Sequence, residues 1–122
     1  ALRAWLGEPA VPPTVEFEAM VKVFFADSGT IDQLRETLRQ VENDARDRLE
    51  VLDVMIAESR YAPYEFADRL PVNALALRWG LEQQRVLVEW AVWAQAQVEG
   101  WRSPTDAAGW DWYGALVPDG GG

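Results

Sequence analysis

Ile31, Leu34, Leu38, Val41, Ala45, Leu49, Leu52 and Ile56 follow one another at three- and four-residue steps, which puts all of them on one stripe of one long helix. This is the spacing of a coiled-coil seam. A second run, Asn73 to Trp101, carries Leu75, Trp79, Val86, Trp90, Trp93 and Trp101 at near-helical steps. Much of its buried surface is therefore expected to come from indole rings. The link between the runs, Tyr61-Ala62-Pro63-Tyr64, is short enough to fold them back antiparallel. The expected fold is all-α: a short apolar helix plus a long antiparallel helical hairpin, coiled-coil-like and dimeric. A slender hairpin leaves much of its seam exposed unless a second chain covers it.

The remaining segments are punctuated clearly. Ala1 to Gly7 reads as a short helical fragment, halted at Gly7 and followed by three prolines at positions 9, 12 and 13. It looks like the tail of a preceding domain. Phe17, Met20, Val21, Phe24 and Phe25 repeat at helical steps between about Val15 and Asp27, giving a very apolar helix that needs a surface to cover it. Thr30 and Gln33 form a capping box for the first long helix, expected from Thr30 to about Arg60. Its outer face offers the pairs Glu42 with Arg46, Asp44 with Arg48 and Arg46 with Glu50. Pro71 disfavours helix at Leu70, so the second long helix is expected to start near Val72 or Asn73, after a short turn from Tyr64 to Leu70. Ser103-Pro104 stops it. The expected divisions are 1–15, a helix remnant and Pro-rich linker; 16–102, the helical domain; and 103–122, a flexible aromatic tail whose closing glycines are disordered.

Composition narrows the chemistry. The chain of 122 residues has neither cysteine nor histidine, which removes thiol nucleophiles, zinc sites of the usual kinds, and the commonest general base. A formal net charge of −9 with a single lysine, Lys22, argues against this chain by itself gripping a phosphate backbone. Asp44, Asp47, Glu50 and Asp53 recur on the first long helix, but carboxylate-bridged metal centres in helical bundles pair Glu with histidine. A solvated charged face is expected there, with no metal and no cofactor. No apolar stretch reaches the roughly 20 residues needed to span a bilayer, no signal-peptide layout is present, and a soluble, cytoplasmic protein is expected.

VKVFFADSG (Val21 to Gly29), a long charged helix, and then ALALRWGLEQQRVLVEW (Ala74 to Trp90) together resemble the C-terminal domain of PadR-like transcriptional regulators, in particular the helical class similar to the virulence activator AphA. ALRAWLGEP (Ala1 to Pro9) is similar to the stretch where that family's winged helix ends, and the winged helix itself is not in this chain. The resemblance covers about Ala1 to Arg102. It implies a homodimer that makes up the dimerisation and regulatory half of a repressor and meets DNA only through the winged helix. It also implies a possible effector site between subunits.

Under that resemblance Trp79, Trp90 and Trp93, with Phe24 and Phe25, are candidates to stack a flat aromatic effector, while Arg78 or Arg85 pairs with an acidic one. Core and dimer packing by the same rings is the competing reading and the preferred one. Leu38, Val41, Leu49, Leu52, Val86, Trp90 and Trp93 are the candidate dimer-interface residues. Gly80, costly in mid-helix by about 1 kcal/mol against Ala, is read as permitting close helix packing. GWDWY (Gly109 to Tyr113) is either an arm over the dimer seam or an extension packed on its own helices. Two other classes stay open: a coiled-coil adaptor that receives another protein's helix, and a histidine-free enzyme using Tyr61, Tyr64 and Glu65.

Overall fold

The computed structural model describes residues 1–13, 17–61 and 63–117. The expected division at 15–16, Ala62 of the interhelical link and the closing glycines lie outside the described residues. Five α-helices are present among the described residues: α1 Leu2–Leu6, α2 Glu18–Phe24, α3 Ile31–Ser59, α4 Leu70–Val98 and α5 Trp112–Leu116, with 3₁₀ turns at Ala26–Ser28 and Tyr64–Arg69. Among the described residues the β component is one isolated bridge, Ser103 to Asp106. No helix among the described residues is long and apolar enough to cross a membrane.

Helix α3 begins as its sequence dictates. The Thr30 hydroxyl accepts the Gln33 N–H at 3.1 Å, and the Gln33 side-chain carbonyl accepts the Thr30 N–H at 2.9 Å. Two donors that the first turn cannot satisfy internally are thereby paired, a contribution of about 1 kcal/mol. At the far end the Ser59 hydroxyl donates to the Ile56 carbonyl at 2.6 Å.

Helix α4 differs from expectation at both ends. It starts at Leu70 with Pro71 in its first turn, not at Val72 or Asn73. A proline is tolerated there because its missing N–H is one of the donors with no intrahelical partner in any case, and Leu70 accepts helical dihedrals (φ −60°, ψ −41°) despite preceding it. The helix ends at Val98, three residues before Trp101. Its last carbonyls are claimed by a side chain of α3: the Arg35 guanidinium donates to the carbonyls of Val98 (3.3 Å), Glu99 (3.2 Å) and Trp101 (3.2 Å). A cation at a helix C-terminus also complements the helix dipole.

The seam between α3 and α4 is built from Leu34, Leu38, Val41 and Ala45 against Gln84, Ala91, Ala94 and Val98. The expectation of an indole-filled seam is corrected here. Alanines at 91 and 94 let the helices approach closely, and Leu38, 1% exposed, fills the space between them. The bulky rings of α4 point elsewhere: Trp79 is 63% and Trp93 43% exposed. Toward the hairpin turn the packing thins, with Leu49, Leu52 and Ile56 only half-buried. Gly80 does meet the opposite helix, its position for a Cβ standing 3.5 Å and 3.6 Å from the Leu52 methyls.

Helix α2 covers the other end of the hairpin. Val23 and Ala26 pack on the cluster of Leu34, Leu38, Ala94 and Val98, together with Ile31, Trp90 and Trp101. Phe24 and Phe25 turn outward and rest edge to face, their centroids 5.3 Å apart.

Candidate functional site: an aromatic pocket and an open stripe

Where α2, the start of α3, the end of α4 and the C-terminal arm converge, they line an open pocket of about 380 Å³. Phe24 comes from α2, Leu34 and Leu38 from α3, Trp90 and Trp93 from α4, and Trp101, Pro104 and Trp110 from the arm. The arm is shaped by short-range chemistry. Asp106 accepts the Ala108 N–H at 3.1 Å, and Ala108 (φ 54°) and Gly109 (φ 78°) both take left-handed backbone, which reverses the chain. Such a conformation costs a residue with a Cβ roughly 1–2 kcal/mol, and it delivers Trp110 back onto α4. The Trp110 indole N–H donates to the Gln97 side-chain carbonyl at 2.7 Å. Its ring lies 5.2 Å from that of Trp101 and 6.4 Å from that of Trp93, both in tilted orientations. Asp111 then accepts the Gly114 N–H at 2.9 Å and starts α5.

One polar atom of this cluster is unspent. The indole N–H of Trp101 is buried and has no acceptor among the described residues. Leaving such a donor unmet costs about 1–3 kcal/mol, which stands out in a region otherwise well hydrogen-bonded.

Of the candidate effector residues, the fold brings together Phe24, Trp90 and Trp93 and separates the rest. Phe25 lines a different, open groove beside Lys22 and Thr30. Trp79 lies far along α4 on an exposed face, and Arg78 is engaged with Glu82 at 2.7 Å. Trp101, Trp110 and Gln97 complete the pocket and were not singled out for it by sequence. The Trp-rich arm was the visible signal, but nothing in its spacing showed where the turn at Ala108 and Gly109 would send it.

The candidate dimer residues divide as well. Leu38 and Val41 are consumed inside the hairpin, Leu49 and Leu52 lie half-buried along the same side, and Trp90 is half-buried beside the pocket. Val86 is 61% exposed, and Trp93 stands partly open. With Val72, Leu75 and Trp79 they make an apolar row at helical steps on α4, interrupted by Glu82 and Glu89, on the side away from α3. Helix α3 carries its own exposed apolar group, Val51, Val54 and Met55.

Charges decorate the periphery. Glu42 is held by the Arg46 guanidinium (2.6 Å) and by the Gln95 side-chain amide of α4 (2.8 Å). The Arg46 hydrogen bond, and then that of Gln95, keep its carboxyl below the ordinary glutamate range. Arg46 thus reaches back to Glu42 rather than forward to Glu50, and the Asp44 with Arg48 pair is not formed among the described residues. Arg39 pairs with Glu36 instead. Tyr61 and Tyr64, candidates of the enzymatic reading, are 85% and 95% exposed. Among the described residues no three or more Asp or Glu side chains come together as metal ligands would.

A helical hairpin with an alanine seam, an aromatic pocket at one end and an apolar stripe on α4 defines an all-α domain built on a long helix pair. A family model described as the virulence activator alpha C-terminal domain matches residues 17–99, and the chain belongs to that family. The resemblance carried by VKVFFADSG and ALALRWGLEQQRVLVEW is thereby borne out. Searches of curated proteins and of solved structures returned no match.

Proposed function

We propose that this chain is the dimerisation and regulatory domain of a PadR-like transcriptional repressor acting in the cytoplasm, a domain that meets DNA only through a winged helix belonging to the same regulator. The observation that carries this reading is uncovered surface. The chain exposes 10110 Å², against about 6600 Å² for a compact monomer of 13.7 kDa. The difference, about 3500 Å², is ample for the 1000–2500 Å² or so that each partner contributes to an obligate dimer interface. Part of that surface is an apolar row on α4: Val72, Leu75, Trp79, Val86 and Trp93. A second copy offering the same row satisfies it in isologous fashion, each stripe covering the other. Two winged helices held by such a rigid seam would meet operator half-sites about 34 Å apart, or a multiple of that.

Sedimentation equilibrium at low micromolar concentration tests the proposal. The parent is expected at twice 13.7 kDa. Trp79→Asp, which puts a charge in the middle of the stripe, is expected at 13.7 kDa with unchanged helicity. A parent chain that sediments as a monomer would sink the dimer and leave the adaptor reading, in which the stripe receives another protein's helix.

A further inference from the structure

We propose that the arm from Arg102 to Val117 is a releasable strap. It lifts from the hairpin as a unit while α3 and α4 stay folded, and so sets how much of the outer face of α4 is open. This goes beyond the dimer reading and does not rest on it, because the contacts that open and close lie within one chain. The arm also falls outside the residues 17–99 matched by the family.

Few points hold the arm down. Among the described residues its hydrogen bonds are local: the N–H groups of Arg102 and Ser103 donate to the Asp106 carbonyl (2.9 and 3.3 Å), and that of Trp110 to the Ala107 carbonyl (3.1 Å). The exception is the Trp110 indole bond to Gln97 of α4. Helix α5, at the far end, comes close to none of the other helices, and its Trp112, Tyr113 and Leu116 are exposed. The fastening is thus one ring, Trp110, seated against Trp93, Gln97 and Trp101. Few buried contacts and exposed backbone hydrogen bonds are what let a segment open before the body of a protein does.

Two features of the closed arm work against it. Ala108 is held in left-handed backbone (φ 54°), which a residue with a Cβ avoids. The Trp101 indole N–H is buried without an acceptor among the described residues, in a ring that lies between the hairpin cluster and Trp110. Lifting Trp110 lets Ala108 return to right-handed backbone and gives the Trp101 N–H a route to water. Burial of the Trp110 ring and its hydrogen bond stand on the other side. Opposed contributions of similar size keep the two positions of the arm close in free energy.

What opening uncovers is the end of the α4 face. Trp90, Trp93 and Gln97 follow Val86 at helical steps, and Trp110 rests on the last two. A closed arm shortens the apolar row at that end, and an open one restores it.

Hydrogen exchange of the whole chain, followed by NMR at the Trp101 and Trp110 indole protons and at the Leu38 and Ala91 amides of the seam, tests the strap. Both indole protons are expected to exchange through one opening, with protection at least tenfold below that of the seam amides. Ala108→Gly, at an exposed position, is expected to raise the protection of both indole protons about fivefold, less than the full relief of the left-handed residue because glycine also frees the open arm. Gln97→Ala is expected to lower the protection of the Trp101 proton about tenfold, the size of one hydrogen bond, and neither variant to change that of Leu38. A Trp101 proton as protected as Leu38 would mean that the arm opens only with the hairpin, and would overturn the proposal. Unprotected indole protons in the parent would overturn it too, since the arm would then not close. So would an Ala108→Gly chain with unchanged indole protection, which decides the matter even if Gln97→Ala fails to fold.

Discussion

Glu42 is where a single side chain ties the two long helices together electrostatically. It takes one hydrogen bond from Arg46 on its own helix and one from Gln95 across the seam, and both are stronger to the charged carboxylate than to the acid. Its folded value is therefore lowered, so its contribution is present above the unfolded carboxylate value of about 4.3 and is lost as pH falls through the lower folded one. Urea unfolding at pH 7 and about pH 3 is expected to show a smaller acid loss of stability for Glu42→Gln than for the parent. Equal acid losses would mean that Glu42 carries no such linkage. The pair with Arg46 is legible from i,i+4 spacing, whereas Gln95 is not, because its distance along the chain from Glu42 says nothing about which turns of an antiparallel pair stand opposite one another.

At the scale of elements, α3 behaves as local chemistry dictates and α4 does not. The capping box and the continuous seam define α3 from Ile31 to Ser59 with little need for context. In α4 the apolar residues run round most of the helix, so periodicity alone cannot choose the face that meets α3. The choice falls to size: Ala91 and Ala94 allow a close approach that Trp90 and Trp93 would block. Gly80 is the place to measure how close that approach is. A Cβ there would stand 3.5 Å from Leu52, an ordinary contact, so Gly80→Ala is expected to raise the unfolding free energy by about 1 kcal/mol through helix propensity. A loss of stability in thermal or urea unfolding would show that something other than Leu52 presses on Gly80.

For the molecule as a whole, charge and surface point in complementary directions. A net charge of −9 with a single lysine opposes contact with a phosphate backbone. The chain alone is accordingly expected not to retard an operator-length DNA duplex in a gel at roughly 0.15 M salt. Retardation at submicromolar protein would contradict the assignment of DNA contact to a separate winged helix. Exposed apolar side chains, by contrast, form a row on one side of α4 and a patch on α3, and others stand on α1, α2 and α5.

From residue order alone came the all-α class, the antiparallel hairpin, the cap of α3, the break at Gly7 and the family resemblance, because helix periodicity, capping and proline geometry act within a few residues of their cause. Tertiary structure decided which residues those helices turn toward each other. It placed alanine rather than tryptophan in the seam and let Pro71 into the first turn of α4. It recruited Arg35 to close the end of α4, and it folded Trp110 back over Trp101. Each of these depends on the fit of side-chain volumes and the pairing of polar groups between segments distant in sequence, and only a packed chain brings those segments into contact.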